Sequence, residues 1–394
     1  MVIILFDDKA HQTLLPLTFT RPVADLRIGI LTIAEKWGKY LKSDFSYHTQ
    51  PYLTGKFHIK VEADNLFING SVCPDEKLLE AIDKLKTGQA LMLGDKLIAI
   101  KLPEADAPNF EPGTKYDDII SYEGSPIVLT YPEDVFRNND TELRKDYKIL
   151  TKGRTSASIS NTNVVIGEDF FAEEGAIADC ATFNTTRGPI YLAAQTEVWE
   201  GTHIRGGLAL CDHSQIKMGA KIYGATTVGP YCRVGGEINN SVIWGYSSKG
   251  HEGYLGNSVM GEWCNIGDDS NNSNLKNNYA EVKLWDYNLQ RFRRTGMQFC
   301  GLIMADHAKC AINTMFNTGT VVGVSANVFG AGFPRNFVPD FSWGGAQGYE
   351  VYSLKKAFET TEKVFERRDH RVFDETEREI LRTVFELTEE FRRF

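Results

Sequence analysis

His251 stands in a glycine-rich run, GYSSKGHEGYLGNSVMGEWCNIG from Gly245 to Gly267, fourteen residues ahead of Asn265. An imidazole titrates near neutrality, so it can take a proton from a reacting group and hand it on. Gly250 and Gly253 stand close on either side, and residues without a Cβ allow the tight turn that would hold the ring at a corner. The competing reading is a solvent-facing turn histidine with no chemistry. His213 and His307 read as surface or corner residues of that kind. Seven cysteines without a C-x-x-C pair read as reduced thiols, and no metal-ligand spacing occurs.

The elements around His251 are legible as a repeat. In rows of six, Leu192, Val198, Ile204, Leu210, Ile216, Ile222, Val228 and Val234 align, and the register returns as Met304, Cys310, Phe316, Val322 and Val328. Two positions earlier the residues are mostly small or β-branched, among them Thr196, Thr202, Ser214, Ala220 and Thr226. Period six cannot keep one helical face, because 3.6 residues per turn rotate successive hits around the axis. Short strands stacked coil on coil can keep it, which predicts a parallel β-helix over about residues 160–340 with the aliphatic rows inside. The segment "NNYAEVKLWDYNLQRFRRTGMQF" breaks the rhythm and reads as an inserted loop. The arginines at 291–294 within it read as solvated rather than as a phosphate contact.

Ahead of the repeat the chain reads as α/β. "MVIILF" is an apolar strand, "PDEKLLEAIDKLKTG" a helix starting at Pro74 and stopping at Gly88, and "LMLGDKLIAIKL" a hairpin turning at Gly94-Asp95-Lys96. Behind it, Ile380, Val384, Leu387 and Phe391 recur at helical spacing after Asp374 and Glu377, placed like a capping box. The expected domains are 1–152 (α/β), 153–345 (β-helix) and 346–394 (helical tail). A net charge of -9 argues against nucleic acid or anionic membrane as partner. The first twelve residues lack a basic leader and a long apolar run, which predicts a cytoplasmic protein.

With these residues in view, the chain resembles the bifunctional N-acetylglucosamine-1-phosphate uridyltransferase/glucosamine-1-phosphate acetyltransferases. In "KGHEGYLGNSVMGEWCNIG", His251, Tyr254 and Asn265 fall at the spacing of that family's acetyltransferase signature. "LLPLTFTRPVADLRIG" is similar to the Pro-Leu-Thr segment of its nucleotidyltransferase domain. The resemblance implies a left-handed parallel β-helix, a homotrimer, and acetyl-CoA as co-substrate in a groove between subunits. It also implies His251 as the base that deprotonates a sugar amine, Asn265 as the group orienting that amine, and Tyr254 as a contact to the sugar phosphate. Lys217 resembles a phosphate-binding arginine, and Asn278, Tyr279 and Lys283 resemble a family segment that meets substrate.

Two departures qualify the likeness. Asn239 stands where the family carries a lysine, which alters the phosphate grip. After the first strand the family's glycine-rich phosphate loop is replaced by "FDDKAHQTLLPLT", without glycine. There Asp7 and Asp8 are candidate Mg²⁺ ligands, and Arg21 and Arg27 candidate nucleotide-phosphate contacts, against the alternative of a strand end and an anchoring ion pair. The expected function is therefore a transferase of sugar-nucleotide synthesis. Acetyl transfer would occur on the β-helix, with weak or altered nucleotidyl transfer at the N-terminal domain. The alternative is a non-catalytic trimeric scaffold with a decayed nucleotidyltransferase domain.

Overall fold

Five consecutive apolar residues make β1 (Val2–Phe6), buried along its whole length, as a central parallel strand must be. It lies between β2 (Phe45–His48) and β3 (Asp64–Asn69), parallel to both. The hairpin of β4 (Gln89–Leu93) and β5 (Lys96–Pro103) joins antiparallel to β3 through β5, and β6 (Asp118–Ser121) pairs parallel to β4. The resulting order is β2-β1-β3-β5-β4-β6. Gly94 turns the hairpin at φ +56°, a conformation that costs glycine little. The helix expected from Pro74 forms over Glu76–Asp83, with the Asp75 carboxylate accepting from the Leu78 N–H. An aspartate satisfies an orphan amide of the first turn, and proline cannot.

The structure, a computed structural model, describes residues 2–368 and 371–394. It forms two compact units: the residues up to Leu26 with Leu31–Tyr131, and Arg27–Ile30 with Pro132–Phe394. Among the described residues no helix is long and apolar enough to cross a membrane.

The second unit is a parallel β-solenoid with walls of six, nine and ten strands. The rows of six all point inward: Leu192, Val198, Ile204, Leu210, Ile216, Ile222, Val228, Val234, Met304, Cys310, Phe316, Val322 and Val328 are at most 5% exposed. Successive coils stack them in register, Ile204 on Ile222, Leu210 on Val228 and Ile216 on Val234. Each large aliphatic side chain so placed contributes roughly 1.5–3 kcal/mol by leaving water. One corner column is aromatic. His213, Tyr231, Tyr246 and Trp263 share left-handed backbone, φ +58° to +61°, and their rings stack at 4.7, 5.1 and 4.1 Å. The identical backbone of each corner is what brings the rings face to face.

Two further pieces cover the solenoid. The helix Asp134–Thr151 and the four-residue strap Arg27–Ile30 are joined to it and to each other by buried hydrogen bonds. Gly29 N–H donates to Asn139 Oδ1 (2.7 Å), the Asn139 amide donates to the Ala225 carbonyl (2.9 Å), and Thr227 Oγ1 donates to the Gly29 carbonyl (2.7 Å). The inserted segment forms an antiparallel hairpin, Lys283–Asp286 with Arg291–Arg294. Within it Arg293 is not solvated as expected, because it is ion-paired with Glu133 at 2.7 Å and Asp286 at 3.4 Å. The tail supplies helices Leu354–Arg367 and Glu375–Leu387. Phe365 stacks on Trp263 at 4.0 Å. Asp374 caps the last helix, and Ile380 and Val384 are buried, but Leu387, expected on the same face, is 54% exposed. The apolar contact ends one turn before the helix does.

Candidate functional site

In the first unit, β1 and β3 run side by side and end together, and a cleft of about 610 Å³ opens where they stop. In sheets of this kind the carboxyl ends of parallel strands are where ligands sit. Asp7 and Asp8 follow β1, Asn69 ends β3, Lys96 begins β5, and Lys9, Gln12, Gln50, Asp95, Thr114 and Tyr116 add further polar lining. Asp8 is the organised group. Its carboxylate accepts from Lys96 Nζ (2.5 Å), the Asn69 amide (2.9 Å) and the Ala10 N–H (2.8 Å). Burial alone would raise this carboxyl, but the Lys96 ammonium and these hydrogen bonds outweigh it and hold it below the ordinary value.

Asp7 has the opposite environment. Burial pushes its carboxyl up to about 7, and neither the Thr49 hydroxyl (2.5 Å) nor the Val23 N–H (2.9 Å) offsets that desolvation. Both oxygens are therefore engaged by protein donors. Asp7 is held by Thr49 and Val23 and Asp8 by Lys96, Asn69 and Ala10, so a Mg²⁺ ion at this pair would have to displace those donors. Arg21 is buried and pairs with Asp25 at 3.2 Å outside the cleft lining. Arg27 belongs to the second unit, where it donates to the Ile30 carbonyl and its own carbonyl accepts from the Trp244 indole at 3.1 Å. Lys96 and Asn69 were the missed members of this cleft. The signal for Lys96 was in the hairpin turn, which brings residue 96 beside the end of β3.

In the second unit, residues 250–253 form the corner joining Ser248–Lys249 to Tyr254–Gly256, and His251 is exposed on it. Gly253 lies at φ +108°, where a Cβ would meet the Ser270 carbonyl at 2.1 Å, so glycine is required there. Tyr254 is half-buried, and its hydroxyl accepts from the Asn274 amide (2.9 Å) and the Asn239 amide (3.4 Å). Asn239 thus shares the tyrosine hydroxyl with Asn274. Asn265 is exposed on the next coil, in register with Ser248. His251, Tyr254 and Asn265 therefore lie on one edge, spread over two adjacent coils.

Lys217 occupies the corresponding corner two coils earlier, since Ile216, Val234 and Lys249 are register partners. That is roughly 10 Å along the axis. Its ammonium lies 3.6 Å over the Trp199 ring and donates to Gln215 (3.0 Å), and burial lowers its pKa. Asn278 is turned back on its own loop, accepting from the Ala280 N–H (3.0 Å). Tyr279 is 65% exposed, and Lys283 is exposed at the start of the hairpin strand Lys283–Asp286. Among the described residues no hydrogen bond joins Asn278, Tyr279 or Lys283 to the His251 corner. Residues missed here are Asn274, which shares the Tyr254 hydroxyl, and Lys249, whose ammonium donates to the His251 and Glu252 carbonyls.

Residues 3–155 match the sequence model of a sugar nucleotidyl transferase family. The match covers the first unit and runs through the helix Asp134–Thr151. No curated protein matches the chain significantly.

Proposed function

We propose that the chain is a transferase of sugar-nucleotide synthesis whose first unit holds a sugar phosphate or nucleotide in the cleft at the ends of β1 and β3. The observation that carries this reading is the position of the cleft, at the carboxyl ends of parallel strands inside the segment that matches the sugar nucleotidyl transferases. Lys96 is the phosphate ligand in this reading. An incoming phosphate exchanges for Asp8 as its partner, a trade between two anions for one ammonium. The absence of glycine after β1 keeps the backbone from wrapping a pyrophosphate closely, so transfer from UTP or dTTP is slow or altered in its acceptor. The test is calorimetric titration with sugar 1-phosphates and nucleoside triphosphates, paired with a pyrophosphate-release assay. Lys96→Ala should weaken binding about tenfold or more, the worth of a charged hydrogen-bonding contact. Absence of binding by every sugar phosphate and nucleotide tried would sink the reading.

A second activity is supported by the exposed His251 with Tyr254 and Asn265 on one edge. We propose that this edge carries acetyl transfer from acetyl-CoA to an amino-sugar phosphate, within a homotrimer whose neighbouring chain completes the groove. The amine nitrogen bonds to the thioester carbonyl carbon, His251 accepts the amine proton, and the carbon–sulfur bond breaks to release CoA thiolate, which takes up that proton. Asn265 orients the amine, and Tyr254 and Lys217 meet the phosphate. Thiol release with glucosamine 1-phosphate and related amino sugars tests it. A protein inert with all of them is a scaffold at this edge.

A further inference from the structure

One inward row contains a charge. Along the wall that runs Ala178, Val198, Ile216, Val234, Lys249, Ile266, Cys310, Val328, neighbours are register partners, except that Lys249 and Ile266 each follow the paired Ser248 and Asn265. Lys249 is 1% exposed, among the largest fully buried side chains, and packs beside Leu255, Ile266 and Phe316. A methionine or leucine would fill that place without the cost of desolvating an ammonium, which in a protein interior is large unless the charge is well hydrogen-bonded.

What the ammonium does is visible at the corner above it. Corners on this edge have four residues at 199–202, 217–220, 250–253, 267–270 and 311–314 and three at 179–181, whereas two, Gly235 and Gly236, join Arg233–Val234 to Glu237–Asn239. That short corner leaves room against the His251 corner, and the lysine reaches into it from inside the solenoid. Its Nζ donates to the carbonyls of His251 (2.7 Å) and Glu252 (3.1 Å). The fit is close, because a Cβ on Gly236 would lie 2.9 Å from Nζ and 2.8 Å from the His251 carbonyl oxygen. Glu252, Asp268 and Asp269 are the charges around it.

We propose that Lys249 is a positioning residue: from within the solenoid it fixes the backbone of His251 and Glu252 and so sets the direction in which the imidazole is presented. The inference rests on the reading of His251 as the base, and it adds a residue that never touches substrate. It also explains why the two-residue corner lies immediately before the histidine coil, where a full corner would occupy the lysine's space.

The test compares the full-length wild type with Lys249→Met, which keeps the length and the packing but removes the donors. The amides that donate to this corner, Asp269 N–H to the Glu252 carbonyl and Glu237 N–H to the Gly253 carbonyl, should exchange about 10- to 100-fold faster, the worth of hydrogen bonds from a charged donor, while exchange elsewhere in the solenoid holds. The His251 imidazole titration, followed by NMR, should move, and kcat for thiol release should fall with KM for the acceptor little changed. Unchanged exchange and titration in a folded Lys249→Met protein would overturn the proposal. If that variant does not fold, Lys249→Gln, which retains a neutral donor, is measured instead; failure of both to fold makes the lysine a core residue and also overturns it. A wild type that releases no thiol refutes acyl transfer alone, because exchange and titration still decide whether Lys249 holds the corner.

Discussion

An imidazole outside a solenoid corner and a carboxyl sealed at a strand end answer to opposite environments, and each makes a prediction. His251 is exposed and packs no core, so His251→Ala should leave the melting temperature unchanged. If it is the base, the variant should lower thiol release by roughly 10²- to 10⁴-fold. An active wild type whose His251→Ala variant keeps its rate removes the histidine from the chemistry. Asp7 acts through stability. Its folded pKa of about 7 lies above the ordinary 3.8, so between those values the folded state binds the proton that the unfolded state has lost. The stabilisation is therefore complete below about pH 4 and disappears as pH rises through about 7. Denaturant unfolding of wild type and Asp7→Asn at pH 4.5 and 7.5 checks the sign. The wild type should lose more stability over that interval, and equal losses would place the pH dependence elsewhere.

At the scale of elements, the inward rows predict their own energetics. Ile216 is fully buried between Val198 and Val234, and Ile216→Ala should cost about 2–5 kcal/mol in chemical denaturation. The solenoid was legible because its coils repeat a spacing that no helix can keep, and every residue in the recognised rows is buried. The legibility failed where the repeat changes length. The two-residue corner at Gly235–Gly236 removes the frame, so the rows stop at Val234 and Lys249 is not seen to occupy an inward place. The strap Arg27–Ile30 was illegible for another reason: its partners Asn139 and Thr227 are distant in sequence, and four residues carry no period. From the sequence Arg27 accordingly reads as a candidate nucleotide contact or an anchoring charge, with no sign of the strap, and Asp8 reads without Lys96 because only the folded hairpin brings them together. The strap's tightness is itself testable. Gly29 lies at φ +73° with Asp146 Oδ2 2.5 Å and the Glu142 carbonyl carbon 2.7 Å from where a Cβ would stand. Gly29→Ala should therefore destabilise the second unit by roughly 2–4 kcal/mol, overpacking added to left-handed strain, read as a lower melting temperature.

For the whole molecule, the trimer proposed for the acetyl-transfer edge predicts a light-scattering mass near three times the 44.2 kDa chain; a single-chain mass at micromolar concentration would leave the groove without its second wall. The strap has a consequence in time. Synthesis proceeds at about 5–20 residues per second, and residues 27–30 leave the ribosome before the helix Asp134–Thr151 and the coil containing Thr227 exist. For some seconds or tens of seconds at that pace the strap has no site, while the strands on either side of it in the chain are free to pair. The strap's hydrogen bonds to Asn139 and Thr227 therefore form only after its neighbours in sequence are already free to fold. A chain halted before the helix Asp134–Thr151 emerges would have its Gly29 N–H without the Asn139 acceptor and exchanging with water.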